Sequence, residues 1–181
     1  MIYFTSDFHI AHDRDFIYAA RGYKSVDEMN IDIINKLCSI YEDGDELWIL
    51  GDIALGSIED AEKYLSMIPF SVHFLRGNHD TDKRIELYES LSWVNEGYAT
   101  IIKDGKWRFY LSHYPTMVAN YDDGKKHLPL MNLYGHTHQT NNFYNDNPYI
   151  YHVGVDSHNC MPVSIDQVKT DIRAKVSEGR I

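Results

Sequence analysis

The sequence predicts an α/β fold in which strands alternate with helices, and three observations point to it. Through the first half, short apolar runs of strand length alternate with stretches whose apolar residues recur at helical spacing. Beyond residue 97 this rhythm gives way to a hairpin signal and further short strands. The chain has 181 residues and 44% hydrophobic content, which suits one domain over residues 1–181, at roughly 100–200 residues per domain, with no need of a disulfide or metal staple.

Ile2–Thr5 reads as a buried strand ending at Ser6-Asp7, and residues 8–24 as an irregular segment. Ser25-Val26-Asp27-Glu28 has the form of a capping box. The helix it opens aligns Met29, Ile33, Ile34, Leu37 and Ile40 on one face and stops near Asp43-Gly44. Glu46–Leu50 is a second strand. Ser57 caps a second helix that carries Ala61, Tyr64, Leu65 and Ile68, and Ser71–Leu75 is a third strand. A third helix runs from about residue 81 to 91. Tyr98–Ile102 and Trp107–Leu111 flank Asp104-Gly105, a hairpin signal. A polar loop over 115–130 is of a length that is usually either functional or disordered. Strands over 132–134 and 149–155 and a helix over 165–176 complete the chain.

The net charge of −10 disfavours strong binding to nucleic acid or anionic membranes, because both would repel the chain. No apolar run approaches the ~18 residues that span a bilayer. Met1–Asp7 shows neither a basic region nor a cleavage site, so no signal peptide is expected. Cys38 and Cys160 lie far apart without metal-ribbon spacing, which suits a reducing cytoplasm.

Five polar clusters directly follow apolar strands: Asp7-Phe8-His9, Gly51-Asp52, Gly77-Asn78-His79-Asp80, His113, and Gly135-His136-Thr137-His138. Ligands in α/β sheets bind at the carboxyl ends of strands, so the clusters are expected to converge on one rim. Asp, Asn and His offer oxygen and neutral imidazole nitrogen, donors suited to borderline and harder divalent metals. On an extended strand end, residues i and i+2 point the same way. Both members of Asp7/His9 and of His136/His138 are therefore expected to face one ion. Gly51, Gly77 and Gly135 are expected to permit tight backbone turns. His73 and His152 sit within strands and read as structural; His127 and His158 are ambiguous.

These clusters resemble, in order, the five sequence blocks of the calcineurin-like metallophosphoesterases: D-x-H, G-D, G-N-H-D/E, H and G-H-x-H. They span residues 7–138. Ser6-Asp7-Phe8-His9-Ile10-Ala11-His12 looks most like the small bacterial and phage members. The resemblance implies a four-layer α/β/β/α sandwich of two mixed sheets flanked by helices. It implies two divalent metal ions, the first on Asp7, His9, Asp52 and His138, the second on Asp52, Asn78, His113 and His136, with Asp52 shared. Manganese is the expected metal; iron, zinc or others also suit the donors. The implied activity is phosphoester hydrolysis by a metal-bridging hydroxide. In relatives often written N-V-G, the strand here reads His152-Val153-Gly154, a departure that removes no metal ligand.

His79 adjoins a ligand without being counted as one, which suits a general acid that protonates the leaving oxygen. Asp80 either holds the His79 imidazole or caps the following helix, or both. Arg76 either contacts phosphate, as in some relatives, or is a surface charge. His12 and Arg14, with Arg21, are candidates to line the substrate rim from the first loop, though His12 reads equally as a surface histidine. Lys125 and Lys126, with Tyr121 and His127, are candidates from the 115–130 loop. The expected substrate is a small phosphodiester, nucleotide-like. A phosphomonoesterase on the same site is the alternative, and a catalytically silent scaffold or a nuclease is less favoured.

Overall fold

A computed structural model of the protein describes residues 1–116 and 130–178. The first sheet contains β1 (Ile2–Thr5), β2 (Glu46–Leu50), β3 (Ser71–Leu75) and β4 (Val94–Asn95), and takes β9 (Val163–Ser164) as an edge. The second contains β5 (Ala99–Asp104), β6 (Trp107–Ser112), β7 (Met131–Tyr134) and β8 (Ile150–His152). The helices are α1 (Asp15–Tyr18), α2 (Val26–Ile40), α3 (Ile58–Leu65), α4 (Asp82–Ser90) and α5 (Ile165–Glu178).

Strand order in the first sheet is β4-β3-β2-β1-β9, with β9 antiparallel to β1 and the remaining pairs parallel. In the second it is β5-β6-β7-β8, antiparallel between β5 and β6 and parallel beyond. The molecule is thus an α/β fold of two mixed sheets flanked by helices. Side-chain alternation along β2 explains the layering. Leu47 and Ile49 enter a core shared with Met29, Ile33 and Leu37 of α2, whereas Trp48 and Leu50 enter one shared with Phe109, Leu111 and Leu133 of the second sheet. A strand buried on both faces has to be apolar throughout, as Leu47–Leu50 is. Val168 and Ile172 of α5 belong to the second core.

Local chemistry accounts for the element ends. The Glu28 N–H donates to Ser25 Oγ, as a capping box requires, but the Glu28 carboxylate accepts from the Lys24 N–H, one residue before the expected partner. At Ser57 the hydroxyl accepts from the Asp60 N–H. α3 stops at Leu65, so Ile68 is buried from the turn beyond it. Asp104 pairs with Trp107, which makes Gly105-Lys106 the hairpin turn, with Gly105 at a φ of 57°. The segment expected to be irregular contains α1, and the strand expected over 149–155 is shorter. After β8 the chain changes partners: the Val153 N–H donates to the Tyr134 carbonyl, and Gly154 then bridges Ser6 of the other sheet. This crossing stitches the two sheets together at the carboxyl ends of β1 and β8. Among the described residues no helix is long and apolar enough to cross a membrane.

Candidate metal centre

Asp7, Asp52 and Asn78 follow β1, β2 and β3; His113 and His136 follow β6 and β7. Both sheets therefore deliver polar side chains to the same end. The backbone there is not extended, contrary to the i, i+2 argument. Asp7, His9, Asp52, His136 and His138 have φ of 57°, 52°, 54°, 67° and 48°. The left-handed region is uncommon outside glycine and costs on the order of 1–3 kcal/mol per residue, so surrounding contacts must enforce it. They include Asp7 N–H to the Gly51 carbonyl at 3.0 Å, His9 N–H to the Asp52 carbonyl at 3.1 Å, and His136 N–H to Asp7 Oδ2 at 2.9 Å.

Glycine serves two purposes here. Gly51 does turn the chain, at a φ of 90°. Gly77 and Gly135 are instead required by close approach. A Cβ on Gly77 would lie 2.2 Å from Asp52 Oδ1 and 2.4 Å from its backbone nitrogen, and one on Gly135 would lie 2.4 Å from Asp7 Oδ2.

Two ligand groups result. Asp7, His9 and His138 form the first, and Asp52, His113 and His136 the second, each with donor atoms within 4.8 Å of one another. Nε2 of His9 and Nε2 of His138 face each other at 3.2 Å, a spacing that two nitrogens adopt when each lies about 2.1 Å from a common ion. Asp52 stands between the groups. Its Oδ1 accepts the His79 N–H at 2.9 Å, while Oδ2 lies 4.0, 3.9 and 3.5 Å from Nε2 of His9, His79 and His113. Nε2 of His113 is 2.9 Å from Asn78 Oδ1, which brings Asn78 into the second group.

Two tests show that these residues fit a cation. Asp7 Oδ2 accepts from Ser6 Oγ and from the His136 N–H, but Oδ1 is buried without a hydrogen-bond partner among the described residues. A bare buried carboxylate oxygen is costly unless a cation takes it. His113 Nδ1 donates to the Leu50 carbonyl at 2.8 Å, since a carbonyl can only accept. In the neutral ring Nε2 would then be a lone pair aimed at oxygen acceptors, an arrangement that a positive ion between them resolves.

The electrostatics favour the ligating form at His9 and Asp52 and the protonated form at Asp7 and His113. Burial, reinforced by Arg21 and His138, pushes His9 down to about 2, so its imidazole is neutral and able to ligate. Burial alone would raise Asp52, but hydrogen bonding and charge from His113, with the His79 N–H, outweigh it and hold the carboxyl at about 2. Burial raises Asp7. For His113, burial is outweighed by Asp52 and Asp7, and the ring is raised.

Two orienting residues were not foreseen from sequence. His138 Nδ1 donates to Asp156 Oδ2 at 2.8 Å. Arg21 donates to Asp156 from Nε and Nη2 at 2.9 and 3.1 Å, and to the Phe8 and Asp7 carbonyls at 3.0 and 2.8 Å. Arg21 is therefore not a free rim cation: its side chain is 4% exposed and fully engaged. The available signal was that Asp156, too, is an acid just past a strand.

Of the remaining candidates, His79 is half exposed and faces a cavity of about 780 Å3 beside the first group. Its neighbour Asp80 does not hold it. The buried Asp80 carboxylate accepts from the N–H groups of Gly77, Asp52 and Ile53 and from the Tyr88 hydroxyl. Nor does Asp80 cap the helix, because Thr81 occupies the N-cap. Asp80 instead locks the Gly51-Asp52 and Gly77-Asn78 turns together. Arg76 is drawn off by Asp82 at 2.7 Å, stands over the Tyr98 ring, and does not line the cavity. Arg14 is exposed at the N-cap of α1 and does not line it either. His12 does line it, with a buried Nδ1 that has no partner among the described residues. His152 is fully buried, bonded through Nδ1 to Ser157 Oγ, and lowered to about 3 chiefly by burial, as suits a structural histidine. Tyr121, Lys125, Lys126 and His127 lie outside the described residues.

The chain is similar to the uncharacterized protein MJ1445 of Methanocaldococcus jannaschii, at 28% identity over 177 residues, covering 92% of this chain and 88% of that protein. Its fold is similar to that of AQ665 from Aquifex aeolicus, a protein of unknown function, with a TM-score of 0.68 and 22% identity over 94% of this chain and 98% of that one. An archaeal phosphodiesterase aligns more loosely, with a TM-score of 0.47 and 16% identity over 84% of this chain and 81% of that one. The model of the calcineurin-like phosphoesterase superfamily domain matches residues 1–157, most of the chain, and the protein belongs to that superfamily.

Proposed function

We propose that this protein is a binuclear metal-dependent phosphoesterase that hydrolyses small phosphodiesters. The observation that carries the reading is the position of Asp52, a buried carboxylate of the second donor group whose Oδ2 also lies 4.0 Å from Nε2 of His9 in the first. Asp7, His9, Asp52 and His138 would hold one ion, and Asp52, Asn78, His113 and His136 the other. An oxygen and nitrogen donor set without thiolate suits manganese, with iron and zinc as competitors. When bound, such ions supply an acidified water as nucleophile and positive charge against the phosphoryl oxygens.

The chain supplies the rest. Asp156 and the Leu50 carbonyl fix the tautomers of His138 and His113, so that each presents Nε2 to the site. Asp80 holds the two turns that carry Asp52 and Asn78 in register. The His79 ring, half exposed and facing the cavity, donates a proton to the leaving oxygen from Nε2. His12 lines the same cavity and reaches the substrate there.

The diester preference rests on room and charge. The cavity accepts a second substituent on phosphorus, and its described lining has no uncommitted Lys or Arg to favour a dianion. A net charge of −10 favours small substrates over polynucleotides. The test is the specificity constant for matched nitrophenyl mono- and diesters with manganese. A clear diester preference is expected, and a monoester preference replaces the reading with a phosphatase on the same site.

A further inference from the structure

The cavity beside the first ligand group has a lining of two kinds. Four histidines, His9, His12, His79 and His138, line it together with other polar residues. Its apolar lining comprises Phe16, Ile17, Ala20, Leu55, Val155 and Cys160. Ile17, Val155 and Cys160 are fixed in the first core, whereas Phe16 is 67% exposed. A lone exposed phenylalanine is ordinary, but Phe16 lines a cavity beside metal-ligand side chains. The rings are continuous. The His9 and His12 centroids lie 5.4 Å apart, and His12 and Phe16 stand edge to face at 5.9 Å and 88°.

Charge narrows what the apolar lining can take. The sole Lys or Arg among the described lining residues is Arg21, whose donors are engaged by Asp156 and two carbonyls. Asp156 is engaged in turn by Arg21 and His138. No cation is left there for a second phosphate. The volume of about 780 Å3 lies within the roughly 300–1,000 Å3 of small-molecule sites, ample for a ring system attached to the phosphoryl group.

Building on the phosphoesterase reading, we infer that this apolar lining is a specificity pocket for a flat, uncharged aromatic substituent of the phosphoester, an aryl ring or a nucleobase. Phe16 is its stacking face, and Leu55 lines it too. The pocket selects against substrates that carry a second phosphate at that position.

The test is calorimetric binding of phenylphosphonate and methylphosphonate to the manganese-loaded protein. The two share a head group and differ only in the ring. Phenylphosphonate is expected to bind about tenfold tighter, the scale of one aromatic stacking contact. Phe16→Ala should remove most of that advantage while leaving methylphosphonate affinity unchanged, and Phe16→Tyr should keep it. Phe16 is exposed, so these variants leave the core intact, and Leu55→Asn probes a second apolar lining residue in the same assay. Equal affinities in the wild type, or a phenyl advantage that survives both Phe16→Ala and Leu55→Asn, would overturn the pocket while sparing the phosphoesterase reading. Manganese binding with no affinity for either phosphonate would instead overturn that reading, and the pocket with it.

Discussion

Asp156 Oδ2 lies 2.8 Å from Nδ1 of His138, and the Arg21 guanidinium clasps both oxygens of the same carboxylate. His138 thus presents a defined tautomer to His9, and its orientation depends on a residue that touches no reacting group. Carboxylates behind ligating histidines are worth about 10–100-fold in metal affinity or activity. Asp156→Asn should cost that much in affinity for one of the two ions and leave the other in place. Metal titration followed calorimetrically measures it, and two ions bound with wild-type affinity would show that the Asp156–His138 bond plays no part in metal binding.

The same carboxylate makes a prediction about pH. Burial disfavours its charge, but hydrogen bonds from His138 and Arg21 outweigh burial and hold Asp156 well below the ordinary carboxylate range. A folded pKa below the unfolded value of about 3.9 means that the stabilisation is present above that pH and is lost as pH falls toward the folded pKa. The metal-free wild type should therefore lose stability below about pH 4 more steeply than metal-free Asp156→Asn. Urea midpoints across an acid series provide the comparison, and parallel curves would refute it.

Much of this site was legible because its blocks adjoin plain strands. Leu47–Leu50 announces β2 by its apolar run, and Asp52 follows it by two residues. The parts that were not legible depend on distance or on strain. Arg21 and Asp156 are 135 residues apart, and no local spacing marks such a pair. The left-handed backbone at Asp7 and His9 is uncommon outside glycine and is held by contacts between turns. Of the two readings open for Arg76, its ion pair with Asp82, a helix residue six positions on, favours the surface charge, and no spacing in the sequence marks that pair. β4 and β9 are two residues each, too short for periodicity to reveal.

Asp52 provides the sharpest test of the binuclear reading. It belongs to the second group and reaches toward His9 of the first, with Oδ1 held by the His79 N–H while Oδ2 faces the histidines. Asp52→Asn preserves the volume and removes the shared charge. Both ions should weaken together, with activity falling alongside metal content. Loss of a single equivalent, measured by elemental analysis after gel filtration, would assign Asp52 to one ion and end its role as a bridge.

His79 separates proton transfer from metal binding. Its backbone N–H secures Asp52, but its ring is half exposed and belongs to neither ligand group. His79→Ala keeps that N–H, so metal content should remain at two equivalents. Loss of a positioned acid typically costs about 10²–10⁴-fold, and that loss should appear on diesters with alkoxide leaving groups. With nitrophenolate the departing oxygen needs little protonation, so the deficit should shrink toward unity. A plot of log kcat against leaving-group pKa should therefore be steeper for His79→Ala than for the wild type. Equal slopes with a uniform rate loss would make His79 a positioning residue for substrate rather than the proton donor.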